Sequence, residues 1–230
     1  MAFQTAWTAR RGLLDSKYMD KVPFLANTGD GTHCVQACIG MMLKYFMPER
    51  DSSYDWLDKI SRKRSGKGTW WPPLLIELHK MGFLVKDIEN FDYQRFYNQG
   101  EAYVKEVYPP AATEYHLKET NLTSIKPLIP DFIKQIQPEN RPAKLSDITK
   151  LLNDGWLVGV GLNSRALNDR PGFAGHMVLV LKAKGNSFWL HDPGLPAMPN
   201  RQVSRQKFLE AWLWAGAENT ELVAVKLPAK

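Results

Sequence analysis

The chain is poor in cysteine and histidine: its 230 residues include two of the first and five of the second. Cys34 and Cys38 lie four residues apart, so on a helix they share one face. A disulfide inside one regular helix is strained, and two cysteines make no disulfide framework. No histidine pair completes a zinc-ligand spacing with them, so no metal site is expected. No apolar run is long enough for a membrane span. The opening MAFQTAWTARRGLLD lacks the charged-then-apolar order of a secretory signal. It reads as a short surface helix or strap, and an uncleaved cytoplasmic protein is the expectation. A phosphate loop is missing too. At Gly66-Lys67-Gly68 the glycine due five residues earlier is Ser61, and Lys67 is followed by Gly68 instead of Ser or Thr.

What is present suits one domain spanning 1–230. A hydrophobic content of 44% supplies a core. The net charge of +6 admits an acidic partner. No nucleic-acid-binding motif accompanies that charge, and the basic run at 62–67 reads as a solvated loop.

Apolar residues at helical spacing predict helices over 33–46, 51–60 and 71–81. Pro48 stops the first, Asp51 or Ser52 caps the second, and Gly82 ends the third. A short strand at 83–88 follows. Residues 89–130 show no sustained period, with five tyrosines and several prolines, and read as an irregular segment over a binding site. A helical piece at 131–137 and a clearer helix at 146–154 come next. From Gly155 the period changes to two. Strands are expected at 156–162, 177–183 and 187–191, the last two joined by the turn Lys184-Gly185-Asn186. A helix capped by Ser204 and a strand at 222–227 complete an α+β chain.

The stretch 22–45 carries the chemistry. A polar loop, Asn27 to Thr32, runs into the helix that opens with Cys34. Unpaired N–H groups and the positive end of the dipole favour thiolate over thiol there. Cys38, one turn deeper among apolar residues, reads as a buried inert thiol. A nucleophilic thiolate needs a base, and the base needs an orienting group. His176 opens the strand MVLVL, and Asp192 follows the next strand. The hairpin between them places both at one end of adjacent strands. Cys34 and His176 are 142 residues apart, within the rough span of about 130–150 for papain-like enzymes. His33 adjoins Cys34 in sequence but points elsewhere on a helix, and is not assigned as the base.

In these motifs the chain resembles the papain-like cysteine peptidases of the bacteriocin-processing kind, which cut after double-glycine leaders, and their stand-alone relatives. Val22-Pro23-Phe24 resembles the family's opening strand, and His33-Cys34-Val35-Gln36-Ala37 its cysteine motif. Gly175-His176-Met177-Val178, the hairpin and His191-Asp192-Pro193 are the closest match. The resemblance implies a papain-like fold, with a helical lobe about 1–82, a variable insertion about 89–130, and a helix plus antiparallel sheet about 144–230. It implies Cys34 as nucleophile, His176 as general base and Asp192 as orienter, with no cofactor and a peptide or protein substrate. Asn27 stands where the family has an oxyanion-donating Gln, and Val35 where it has Gly. Isopeptide cleavage, deamidation and acyl transfer share this chemistry. A non-catalytic binding module on the same fold is the alternative. The residues 89–130 are expected to gate the substrate.

Overall fold

The computed structural model describes residues 21–228. The reading of the first fifteen residues lies outside them. Helix α1 (Cys34–Phe46) is the structural axis, with every residue from Cys34 to Leu43 buried. Helices α2 (Tyr54–Ser61) and α3 (Pro72–Lys80) pack beside it. The cap of α2 is Ser53, whose side chain accepts from the Trp56 N–H. Asp51 instead accepts from the Ser53 N–H, so it supports the cap residue without being it.

Strand β1 (Leu84–Glu89) leads into the expected irregular segment. That expectation is corrected here: the segment is mostly helical. It forms α4 (Tyr93–Gln99), α5 (Glu101–Val107), α6 (Pro110–Glu119) and the single turn α7 (Leu122–Ile125). Helices of seven to ten residues are marginal alone and hold through tertiary packing. Phe91 supplies it, meeting the rings of Trp70, Tyr93, Phe96, Tyr103 and Tyr108. Helix α8 (Ile129–Ile136), the two-residue β2 (Glu139–Asn140) and α9 (Leu145–Asn153) follow.

The remaining elements are β3 (Leu157–Asn163), the short α10 (Ser164–Leu167), β4 (Gly175–Lys184), β5 (Ser187–Asp192), β6 (Met198–Ser204), α11 (Arg205–Trp212) and β7 (Glu221–Lys226). Seven strands form one sheet in the order β2-β1-β7-β3-β4-β5-β6. All neighbours are antiparallel except β1 and β2. The sheet therefore recruits β1 from the first half of the chain. Alternation along β4 divides the core. Met177, Leu179 and Leu181 join α1 and α3 on one face. Val178 and Val180 join Ile148 of α9 and Phe208 of α11 on the other. The helical lobe thus lies on one face and two later helices on the opposite one, a mixed α+β layering.

Gly159 of β3 lets α1 lie close. A Cβ there would come 2.2 Å from the Met177 terminal methyl and 3.3 Å from that of Met42 on α1. Ahead of α1, residues 22–27 run extended without joining a ladder. His191 Nε2 meets the Val22 carbonyl at 3.0 Å, and the Asn27 N–H donates to the Pro193 carbonyl at 2.8 Å. Among the described residues no helix is long and apolar enough to cross a membrane.

Candidate active site

The β4–β5 hairpin brings His176 and Asp192 together. His176 Nε2 lies 2.7 Å from Asp192 Oδ1, with side chains only 7% and 3% exposed. Cys34, at the start of α1, lines the same cleft as this imidazole, and the two groups interact electrostatically. With Nε2 occupied by Asp192, the nitrogen left for the thiol is Nδ1. Burial opposes charge on both partners, yet each stabilises the other. Burial pushes the Cys34 thiol up, but the His176 hydrogen bond and charge, with backbone bonds at Met177 and Val35, bring it below its ordinary value. Burial likewise pushes His176 down. The hydrogen bonds and charges of Asp192 and Cys34 outweigh that and raise it to about 10. Each partner thus favours the charged form of the other, thiolate beside imidazolium.

Asp192 is held on every side. Burial raises its pKa, but His176, the Gly194 N–H and Arg201 lower it to about 2. Gly194 N–H donates to Oδ1 at 3.0 Å, and Arg201 Nη1 to Oδ2 at 2.7 Å. Arg201 is itself anchored through Nη2 on the Leu167 carbonyl at 2.9 Å. Sequence reasoning missed this arginine because the residues around it, MPNRQVS, show no apolar alternation. Glycine is needed at 194, where a Cβ would sit 2.9 Å from Asp192 Oδ1 and 3.2 Å from His176 Nε2.

Asn27 lies in the same cleft, beside Cys34, His176 and Asp192. Its Oδ1 accepts the His33 N–H at 2.7 Å. Because that donor is a backbone N–H, the amide's orientation is fixed, and Nδ2 is left as a donor with no acceptor among the described residues. The Cys34 N–H stands in the first turn of α1, where no intrahelical acceptor exists. His33 does not reach the cysteine's partner. Its ring spans Thr28 Oγ1 at 2.5 Å and Asp58 Oδ2 at 3.0 Å, pinning the loop to α2. Cys38 is fully buried, with its Sγ 3.4 Å from the Met177 carbonyl and its thiol pushed well up by burial.

Two spaces meet at Cys34. An outer groove runs between the Asn27–Thr32 loop, α6, and the residues around Gly194 and Leu195. An inner recess extends under the sheet edge, bounded by Trp70, Trp71, Tyr115 and Met177. Helix α6 forms the wall between them: Tyr115 OH donates to the Gly175 carbonyl at 3.0 Å. Val35, in the place of the family's glycine, lines the inner recess and not the outer groove.

No family model matches the chain, and no curated protein matches it. Among solved structures the fold is that of the C39-like, papain-like cysteine peptidases. One such structure, from Bacillus anthracis and described as a "putative C39-like peptidase", matches 93% of this chain and 98% of its own, with a TM-score of 0.50 and 14% identity. At that identity the likeness establishes the fold.

Proposed function

We propose that this chain is a cysteine hydrolase that opens a peptide or isopeptide bond through an acyl-enzyme on Cys34. The observation that carries the reading is one buried imidazole bonded to Asp192 and sharing its cleft with a helix-start thiol. In the proposed cycle the Cys34 thiolate attacks the substrate carbonyl carbon. The oxyanion takes hydrogen bonds from Asn27 Nδ2 and the Cys34 N–H. His176 gives its Nδ1 proton to the leaving amine, and a thioester remains. His176, now neutral, takes a proton from water, which attacks the thioester and frees the acid and the thiolate. Asp192 keeps the ring oriented and its charge matched throughout.

We do not extend the proposal to double-glycine specificity, because two glycines would leave the inner recess empty. Helix α6 and its neighbours, placed at the cleft wall, are proposed to shape substrate choice.

The test pairs wild type with Cys34→Ala against a lysate-derived peptide library and reads new termini, deamidation and amine cross-links by mass spectrometry. New termini with wild type alone are the expected result. A partner captured equally by both proteins, with no covalent change, would turn the reading to a binding module. Iodoacetamide at mildly acidic pH should label Cys34 far faster than Cys38.

A further inference from the structure

The inner recess carries a feature that the proposed cycle does not use. Glu89 and Glu221 line it, on the side away from Cys34 and His176. They belong to one cross-strand row: Glu89 of β1 pairs with Glu221 of β7, Glu221 with Gly161 of β3, and Gly161 with Met177 of β4. Paired residues present their side chains to one face of the sheet. Gly161, having no side chain, makes room for the Glu221 carboxyl, which lies over it. A Cβ there would lie 1.9 Å from Glu221 Oε1.

These acids have no cation. Glu89 is 3% exposed, and Asp87 behind it 1%. Tyr93 OH donates to Glu89 Oε1, and Trp71 Nε1 donates to Asp87 Oδ1 at 3.1 Å. Glu89 Oε2 and Asp87 Oδ2 are buried with no hydrogen-bond partner among the described residues. Among the described residues neither lysine nor arginine lines the recess. Burial pushes Glu89 up to about 7, and raises Asp87 and Glu221 well above the carboxylate range. Carboxyls buried without a counter-charge are costly, and the same low dielectric makes them strong partners for an incoming cation.

The walls suit a long cationic side chain. Trp70, Trp71 and Tyr115 offer aromatic faces to an aliphatic stem and to the charge at its end. The recess has a volume of about 60 Å³. The acids do not form a metal cage: among the described residues no group of three or more His, Cys, Asp or Glu is placed to hold an ion.

We propose that the recess behind Cys34 is a specificity site for a lysine or arginine side chain next to the scissile bond, read by Glu221 and Glu89. This rests on the acyl-enzyme reading for its substrate, but the recess can be tested separately.

Four peptidyl vinyl sulfones differing only beside the warhead, with lysine, arginine, glutamine or norleucine, are compared by the rate at which intact mass shows Cys34 labelled. The lysine and arginine probes should react about tenfold to a hundredfold faster than norleucine, the worth of a charge-assisted buried hydrogen bond. In Glu221→Gln that ratio should fall toward one. Equal rates for all four probes, or glutamine matching lysine, would overturn the cation site while leaving the acyl-enzyme reading intact. If no probe labels Cys34, the acyl-enzyme reading fails. Calorimetric titration of Cys34→Ala with Nα-acetyl-lysine methylamide and its norleucine analogue then decides the recess. Preference for the lysine ligand supports it, and equal or absent binding sinks it. The probe comparison needs no variant, so a Glu221→Gln protein that does not fold leaves the test standing.

Discussion

Two sets of buried carboxyls flank Cys34, and they behave in opposite ways. Asp192 and Glu89 are equally hidden, at 2% and 3% exposure. Asp192 has an imidazolium, a guanidinium and a backbone N–H, and is held down to about 2. Glu89 has a tyrosine hydroxyl and another acid, and is pushed up to about 7. Burial is the same, so the partners decide. A fully partnered carboxylate is a fixed charge that serves geometry. An unpartnered one is a charge held in reserve, appearing when something positive arrives.

The comparison can be broken first at the thiol both sets face. Cys34→Ala should abolish turnover, by about 10⁴-fold or more, since the covalent route is gone; progress curves on any peptide that wild type cleaves would check it. Asp192→Asn keeps the shape but removes the fixed charge. A drop of up to about 10⁴-fold in kcat is expected. The pH profile of Cys34 alkylation should also move upward, because the imidazolium loses its support. An unmoved profile would assign Asp192 a packing role only. Asn27→Ala should cost about 10²–10³-fold in kcat with KM nearly unchanged.

Arg201 sharpens the contrast further. Arg201→Met leaves Asp192 with its histidine and its Gly194 bond but one neutralising partner fewer. About a tenfold loss in kcat is expected, with the alkylation profile moved in the same direction as for Asp192→Asn by less. A loss of stability without any movement of that profile would make Arg201 a structural tie alone.

The smallest effect is on stability against pH, where the two carboxyls should slope oppositely. Between about 2 and the ordinary value of 3.8, the unfolded chain holds a proton that native Asp192 has lost, so stability falls as pH drops through that window. Between the ordinary 4.5 and about 7, native Glu89 holds a proton that the unfolded chain has lost, so stability falls as pH rises. Urea midpoints across pH 2–8 would read both slopes. Glu89→Gln should reduce the second, where Asp87 and Glu221 also contribute, and leave the first.

The sequence shows one of these carboxyl sets far more readily than the other. Cys34 at a helix start, Gly-His opening a strand and Asp closing the next are local signals, and a tight hairpin joins the last two. The acid recess has no such signal. Periodicity ends the first strand at Ile88 and begins the last at Leu222. The structure shifts each by one residue, bringing Glu89 and Glu221 into the ladder. Their meeting depends on β1 pairing with β7 across most of the chain. Arg201 is hidden for a related reason: β6 is an edge strand held by its ladder with β5, and its own residues carry no apolar pattern. The helices of 89–130 escape notice because they are short and carry no clear apolar stripe: of the ten residues of α6 only Ala112 is buried.

The cross-strand row from Met177 to Glu89 also acts as a measuring stick. Neighbouring strands stand about 4.8 Å apart, so Glu221 is roughly 10 Å and Glu89 roughly 14 Å along the sheet from the strand that carries His176. Such a ladder fixes length as firmly as charge. A side chain one methylene shorter than lysine moves its ammonium back by about a quarter of one rung, whereas diaminopropionate, three methylenes shorter, falls most of a rung short. The hydrogen-bonded spacing of the backbone would thereby grade cations by reach, with ornithine nearly as good as lysine and diaminopropionate left outside.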